Sequence, residues 1–257
     1  MKIYRSLEEF ESLDNAIVTI GTFDGVHIGH QKILKKLVDC AKETNGESVL
    51  LTFFPHPRLI FNPEDENLRL INDIEEKVHQ LAIAGLDHLI ITPFTRDFSN
   101  QTAEEYIRNV LVNKLGTKVI IIGYDHHFAK DRKGSIKDLI ELSDIFDFQV
   151  KEIPKQDIED VAVSSTRIRE ALITGNIENA NKYLGYAFEL TGTVIKGDQI
   201  GRTIGFPTAN IHVHESHKLI PAYGIYAVEV EIYPSVPSIS AGEYVDPTPE
   251  RIAKGMC

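Results

Sequence analysis

Apolar and polar positions alternate in blocks along the first 185 residues. Short apolar runs at 16–23, 48–53, 88–93, 118–123 and 148–153 have the length of buried strands. Between them, apolar residues recur at helical spacing over 31–44, 74–84, 103–115 and 136–146. Thr102 and Glu105 form a capping box ahead of the third helix, and Gly85 and Gly116 suit the ends of the second and third. Such alternation predicts a parallel sheet with helices on both faces. Two shorter helical stretches, 166–174 and 177–184, are punctuated by Gly175 and Gly185. Beyond Phe188 the pattern changes, with frequent glycines and β-prone runs at 189–195 and 224–232. The chain therefore divides into an α/β domain over 1–185, a strand-rich domain over 186–232 and an atypical tail over 233–257.

Ligands of parallel sheets sit beyond the carboxyl ends of the strands. The first apolar run leads into Gly21-Thr-Phe-Asp-Gly-Val-His-Ile-Gly-His30, a tight turn followed by a helix. Backbone N–H groups and the positive helix end favour an anion there. His27 and His30 are three apart and share a helical face. Two imidazoles so placed can stabilise charge on a phosphate as it is displaced, with no protein nucleophile. The second run closes in Phe53-Phe-Pro-His-Pro57, whose prolines fix the loop that displays His56. The fourth leads into Gly123-Tyr-Asp-His-His-Phe-Ala-Lys-Asp-Arg-Lys-Gly134, where Gly123 permits close approach and Asp125 can reach a ribose or base. His126 and His127 are adjacent, so an extended backbone turns them to different sides. In Val163-Ser-Ser-Thr-Arg-Ile-Arg169, Ser164, Ser165 and Thr166 offer hydroxyls at a helix start, and Arg169 follows one turn on. That set suits the β- and γ-phosphates of a triphosphate.

On these residues the first domain resembles the His-x-Gly-His nucleotidylyltransferases. The longer match from Gly21 through Gln31, with 53–57 and 163–169, is similar to the adenylyltransferase module of bacterial FAD synthetases. The resemblance implies transfer of AMP from ATP to FMN, giving FAD and pyrophosphate. It implies His27, His30 and Arg169 as catalytic residues. It also implies ATP binding by Gly21, Phe23, Asp24, Gly29, Gly123, Asp125, Ser164, Ser165 and Thr166, and flavin binding by Pro55, His56 and Pro57. The family's loop after the fourth strand ends in glycine where this chain has Ala129, a residue that suits positive φ poorly.

The stretch Gly192-Thr-Val-Ile-Lys-Gly-Asp-Gln-Ile-Gly-Arg-Thr-Ile-Gly-Phe-Pro-Thr-Ala-Asn210 is a second glycine-rich signal. With Pro221-Ala-Tyr-Gly-Ile-Tyr-Ala227 it resembles the riboflavin kinase module, a β-barrel that phosphorylates riboflavin to FMN with ATP. The resemblance implies nucleotide and metal contacts from Gly197, Gly201, Arg202, Gly205, Thr208 and Asn210. Thr208 and Asn210 can place oxygens on Mg2+, a hard cation. Together the modules resemble the bifunctional bacterial FAD synthetase family over about 16–232, an α/β nucleotidylyltransferase sheet followed by a partial β-barrel. No family motif is legible in 233–257, and neither Glu229 nor Glu231 is assigned as the kinase base. A barrel short of strands has open edges, which predicts a poorly ordered tail and an impaired or absent kinase activity.

The net charge of −11 leaves no basic surplus for a nucleic-acid backbone. Two cysteines, Cys40 and Cys257, make no disulfide framework. The first residues have no signal-peptide core, and no apolar run reaches membrane-spanning length. A cytoplasmic enzyme acting on small molecules is the expectation. Two other readings stay open on these residues: transfer of a nucleotidyl group to another phosphate acceptor, and a non-catalytic flavin- or nucleotide-binding module.

Overall fold

The structure, a computed structural model, describes residues 1–62, 64, 68–123, 126–130, 133–154, 163–234 and 242–257. Its strands are β1 (Lys2–Tyr4), β2 (Ala16–Ile20), β3 (Glu47–Phe53), β4 (His88–Thr92), β5 (Thr117–Gly123), β6 (Gln149–Ile153), β7 (Thr193–Ile195), β8 (Asn210–His212), β9 (Ala227–Ile232), β10 (Gly242–Glu243) and β11 (Arg251–Met256). Its helices are α1 (Ile28–Glu43), α2 (Pro57–Phe61), α3 (Ile74–Ile83), α4 (Arg96–Ser99), α5 (Ala103–Tyr106), α6 (Ile136–Phe146), α7 (Ser165–Ile173), α8 (Ile177–Leu184) and α9 (Ile200–Thr203).

Seven strands form one sheet in the order β10-β1-β4-β3-β2-β5-β6. All pair in parallel except β10, which runs antiparallel to β1. Every residue of β2 is buried, as a strand covered on both faces requires. Ile17 packs on one face with Leu34, Leu37, Val78 and Leu81. Ala16, Val18 and Ile20 pack on the other with Ile107, Val110, Leu111 and Leu139. Chain order reverses direction at β2: β3 lies on one side and β5 on the other. In open α/β sheets ligands bind at such a reversal, beyond the carboxyl ends of the strands, here those of β2 and β5.

One helix departs from expectation. Only 103–106 of the 103–115 stretch is α-helical; Ile107–Lys114 is a π-helix, with Leu115 N–H donating to Val110 O at 3.0 Å. The wider winding draws Ile107, Val110, Leu111 and Leu115, all buried, toward one face.

A third apolar cluster joins α7 and α8 to Ile71 and Leu219. The strand-rich region consists of two antiparallel ribbons, β7–β8 and β9–β11. They leave Ile200, Ile204, Phe206, Tyr223 and Ile225 exposed. Where a poorly ordered tail is the expectation, the described residues 242–257 carry two strands. In one of them, β11 pairs with β9 in register from Arg251↔Ile232 to Met256↔Ala227. The pairing sets Lys254 opposite Glu229, a favourable cross-strand pair. No helix among the described residues is long and apolar enough to cross a membrane.

Candidate active site

The turn after β2 bends sharply. Phe23, Gly25 and Val26 all take positive φ, at 46°, 83° and 33°. Such backbone is costly for Phe and Val and occurs mostly at ligand-binding turns. A methyl group on Gly25 would press on Ile71. Gly29 is buried in the first turn of α1, where amides lack helical partners. Gly21 lies against the Phe23 ring, so a side chain there would collide with it.

His27 is the N-cap of α1, and its Nδ1 accepts from His30 N–H at 3.4 Å. A ring nitrogen that accepts leaves the proton on Nε2, which is then a donor. The two imidazoles stack at 3.7 Å between centroids and 15° between planes. Phe23 leans on His30 at 4.8 Å. Burial pushes His27 down to about 4, against the pull of Asp24, and pushes His30 well below the usual imidazole range. Both rings are therefore neutral at physiological pH, and His30 Nδ1 is buried without a hydrogen-bond partner.

Asp24 is 3% exposed and fastens three segments. Its Oδ1 accepts from Ile71 N–H at 2.9 Å and Asn72 N–H at 3.4 Å, and its Oδ2 pairs with Arg169 Nη2 at 2.5 Å. Arg169 Nε also donates to Arg69 O at 2.7 Å. Ser165 Oγ donates to Asp24 O at 3.1 Å, while Ser164 caps α7 by accepting from Arg167 N–H. Thr166 is exposed on the first turn of α7. The 163–169 motif is thus brought onto the 21–30 turn. Asp24, expected to touch nucleotide, has its carboxylate committed within the protein.

His56 caps α2, with Nδ1 accepting from Arg58 N–H at 3.2 Å, and it follows the cis Phe54–Pro55 peptide. Pro57 opens α2. Burial lowers His56 to about 4, and the charges of Asp24, Lys77 and Arg169 all act on it. The 53–57 loop, expected to border flavin, and the histidine turn therefore feel the same three charges. Gly123 ends β5 in the buried sheet. Asp125 lies outside the described residues. Ala129 has φ 60°, the left-handed conformation in which the family's glycine is at ease.

Sequence reading passed over several residues that hold this site. Tyr186 donates its hydroxyl to Gly25 O at 2.8 Å, with Asn72 Oδ1 at 3.2 Å. Lys218 is buried; its ammonium pairs with the Glu76 carboxylate and donates to Ile71 O at 2.7 Å and Glu189 O at 2.8 Å. Glu76 also accepts from Thr191 N–H at 3.0 Å. Residues 186–219 thereby clasp the 71–76 segment that Asp24 grips. One signal was available: Asp73 and Glu76 read as a capping box, and a lysine at 77 interrupts the apolar stripe of Ile74, Val78 and Leu81.

In the strand-rich region the 197–210 loop folds back on itself. A side chain on Gly197 would overlap Asn210, and one on Gly201 would meet Phe206 O and Thr208. Arg202 lies on α9, and Gly205 has φ +82° at the turn after it. Thr208 and Asn210 thus flank a cradle that only glycine can form. A hydroxyl and an amide oxygen suit Mg2+, which commonly takes few protein oxygens beside phosphate and water. Among the described residues, no group of three His, Cys, Asp or Glu side chains could hold a metal.

Comparison with known proteins matches residues 9–167 to the FAD synthetase family and 184–253 to riboflavin kinase. The bifunctional riboflavin kinase/FMN adenylyltransferase of Listeria monocytogenes is 37% identical over 218 residues, covering 85% of this chain and 68% of that protein. The Escherichia coli K12 protein of the same name is 34% identical, covering 90% of this chain and 73% of that protein. A solved Streptococcus pneumoniae structure, titled a macrolide-efflux protein, is 29% identical with a TM-score of 0.79. It covers 94% of this chain and 81% of that one.

Proposed function

The chain belongs to the bifunctional riboflavin kinase/FMN adenylyltransferase family and forms FAD from FMN and ATP; on that premise we propose how its residues divide the work. A phosphate oxygen of FMN attacks the α-phosphorus of ATP. The bond from that phosphorus to the β-phosphate bridge breaks, and pyrophosphate leaves. Negative charge grows on the non-bridging α-phosphate oxygens and on the leaving group. Neutral His27 and His30 donate N–H bonds to those oxygens and need no proton transfer to do so. Ser164, Ser165, Thr166 and Arg169 border the leaving phosphates, and Arg169 keeps its place through Asp24. Mg2+, when bound with the nucleotide, neutralises phosphate charge. Pro55, His56 and Pro57 border the acceptor side, and Gly21, Phe23, Gly29 and Gly123 shape the crevice.

One observation carries this reading above the rest. The stacked imidazole pair and the Asp24–Arg169 pair meet at the strand-order reversal, where an α/β sheet binds ligands. Small molecules are its substrates, and a cytoplasmic setting fits two cysteines that form no disulfide. The test is chromatographic. ATP offered with FMN, phosphopantetheine or glycerol phosphate should yield a nucleotidyl product with FMN alone; turnover of another acceptor at an equal rate would reassign the substrate.

The Gly197–Asn210 cradle supports riboflavin phosphorylation, with Thr208 and Asn210 toward Mg2+. The exposed apolar residues of its ribbons support a slower reaction at that module in this 257-residue chain.

A further inference from the structure

Each carbonyl from Phe23 to His27 is held by a donor within the protein. Phe23 O accepts from Val26 N–H at 3.2 Å, and His27 O from Gln31 N–H at 2.9 Å. Asp24 O accepts from Ser165 Oγ at 3.1 Å, and Val26 O from Gln31 Nε2 at 2.9 Å. Gly25 O accepts from the Tyr186 hydroxyl at 2.8 Å. The amides of Asp24, Gly25, His27, Ile28 and Gly29, by contrast, donate to no described residue. Carbonyl and amide point in opposite directions across a trans peptide. Holding the Asp24 and Val26 carbonyls therefore aims the Gly25 and His27 amides away from those partners, where an anion can meet them. The Gly25–Val26 peptide lies between these two, in a turn whose Phe23, Gly25 and Val26 all take positive φ. Such backbone keeps its shape only when its surroundings hold it.

Tyr186 reaches this turn from the first position of the expected second domain. Gly185, at φ 82°, ends α8 and redirects the chain. The Tyr186 ring packs against the apolar cluster that includes Ile71, Leu184 and Leu219. Burial raises its pKa, so the hydroxyl keeps its proton. A hydroxyl has one proton to give, and Gly25 O is the nearer of its two neighbours. Asn72 supplies the complement. Its Nδ2 is buried without a partner, and its side-chain amide lies 3.2 Å from the Tyr186 oxygen. Turned over, that amide donates through Nδ2 to the phenol oxygen, the orientation that hydrogen bonding selects. The Asn72 backbone N–H reaches Asp24 Oδ1 at 3.4 Å, and Asp24 holds Arg169. One run of hydrogen bonds thus passes from Asn72 through Tyr186 to the Gly25 peptide, two residues before His27.

We propose that Tyr186 is a positioning residue for adenylyl transfer. Its hydroxyl, with Asn72 behind it, fixes the Gly25 peptide and so the neighbouring amides that meet the growing phosphate charge. This rests on the adenylyl-transfer reading above. The experiment is steady-state FAD formation by the full chain, with FMN and ATP varied separately. Wild type, Tyr186→Phe, Asn72→Ala and the double variant are compared at a temperature where unfolding curves show each one folded. Tyr186→Phe keeps the ring and loses only the hydroxyl. It should lower kcat about tenfold or more, because misplaced donors fail mainly in the transition state, and leave KM for FMN within about threefold. Asn72→Ala should lower kcat by a smaller factor. The double variant should match Tyr186→Phe within about threefold, since Asn72 acts through the tyrosine. A smaller fall in kcat for Tyr186→Phe, a loss confined to KM for FMN, or losses that multiply in the double variant would overturn the assignment. So would a single variant that fails to fold, since the group would then be structural. A wild type that forms no FAD defeats adenylyl transfer itself, in an arm without variants, and the proposal falls with it.

Discussion

At the residue scale, the account turns on two imidazoles kept uncharged. Burial, opposed by Asp24, sets His27 near 4, and burial also sets His56 near 4. NMR titration of both rings should give midpoints near 4, and midpoints of about 6.5 would place them in water. The same depression links stability to pH. The unfolded chain takes up protons near pH 6.5, before the native rings do, so stability falls as pH drops from about 6.5 toward 4. Denaturation of His27→Gln should show a shallower acid slope than wild type. Replacing His30 by alanine should cut pyrophosphate release about 10²–10³-fold, the usual effect of losing one donor to a developing oxyanion; an equal rate would strip the ring of its role. The pairing of His27 with His30 was legible from their spacing. Their neutrality was not, because desolvation depends on Phe23 and on the segments packed around the turn.

At the element scale, α3 and the 186–219 segment form a clasp. Burial raises the Glu76 carboxyl, and Lys218 draws it back down. Removing one partner of a buried ion pair costs about 3–5 kcal/mol, so Lys218→Ala should lower unfolding free energy by that order in urea titration. A loss below about 1 kcal/mol would mean the pair contributes no more than a surface one. Strands β2 to β6 and helices α1, α3 and α6 could be read from periodicity and caps. The π-helix at 107–114 could not, since its winding answers to which side of the sheet Ile107, Val110 and Leu111 must fill. The three-residue β1 and two-residue β10 are too short to carry a period and exist through their pairing at the sheet edge.

At the scale of the whole molecule, order along the sheet puts chemistry where three separate motifs meet. The 21–30 turn, the 53–57 loop and the 163–169 helix start are far apart in sequence. Pairing of β2 with β3 sets the first two side by side, and Asp24 joins the 21–30 turn to the third through Arg169. Sequence placed the first two motifs after their strands and the third at a helix start, but the bond from Asp24 to Arg169 joins residues 145 apart and has no local signal. The strand-rich region differs in quality: its two ribbons leave large apolar side chains in water. Riboflavin and FMN offered separately with ATP should therefore give rapid FAD formation from FMN and much slower FMN formation from riboflavin. Comparable rates would show that the ribbons form a competent kinase.

The most direct measurement is a crystal structure of the chain with a non-hydrolysable ATP analogue. The α-phosphate should lie within hydrogen-bond distance of His27 and His30 ring nitrogens, with the β- and γ-phosphates against the start of α7. An analogue bound elsewhere, or with its α-phosphate turned away from both rings, would contradict the account.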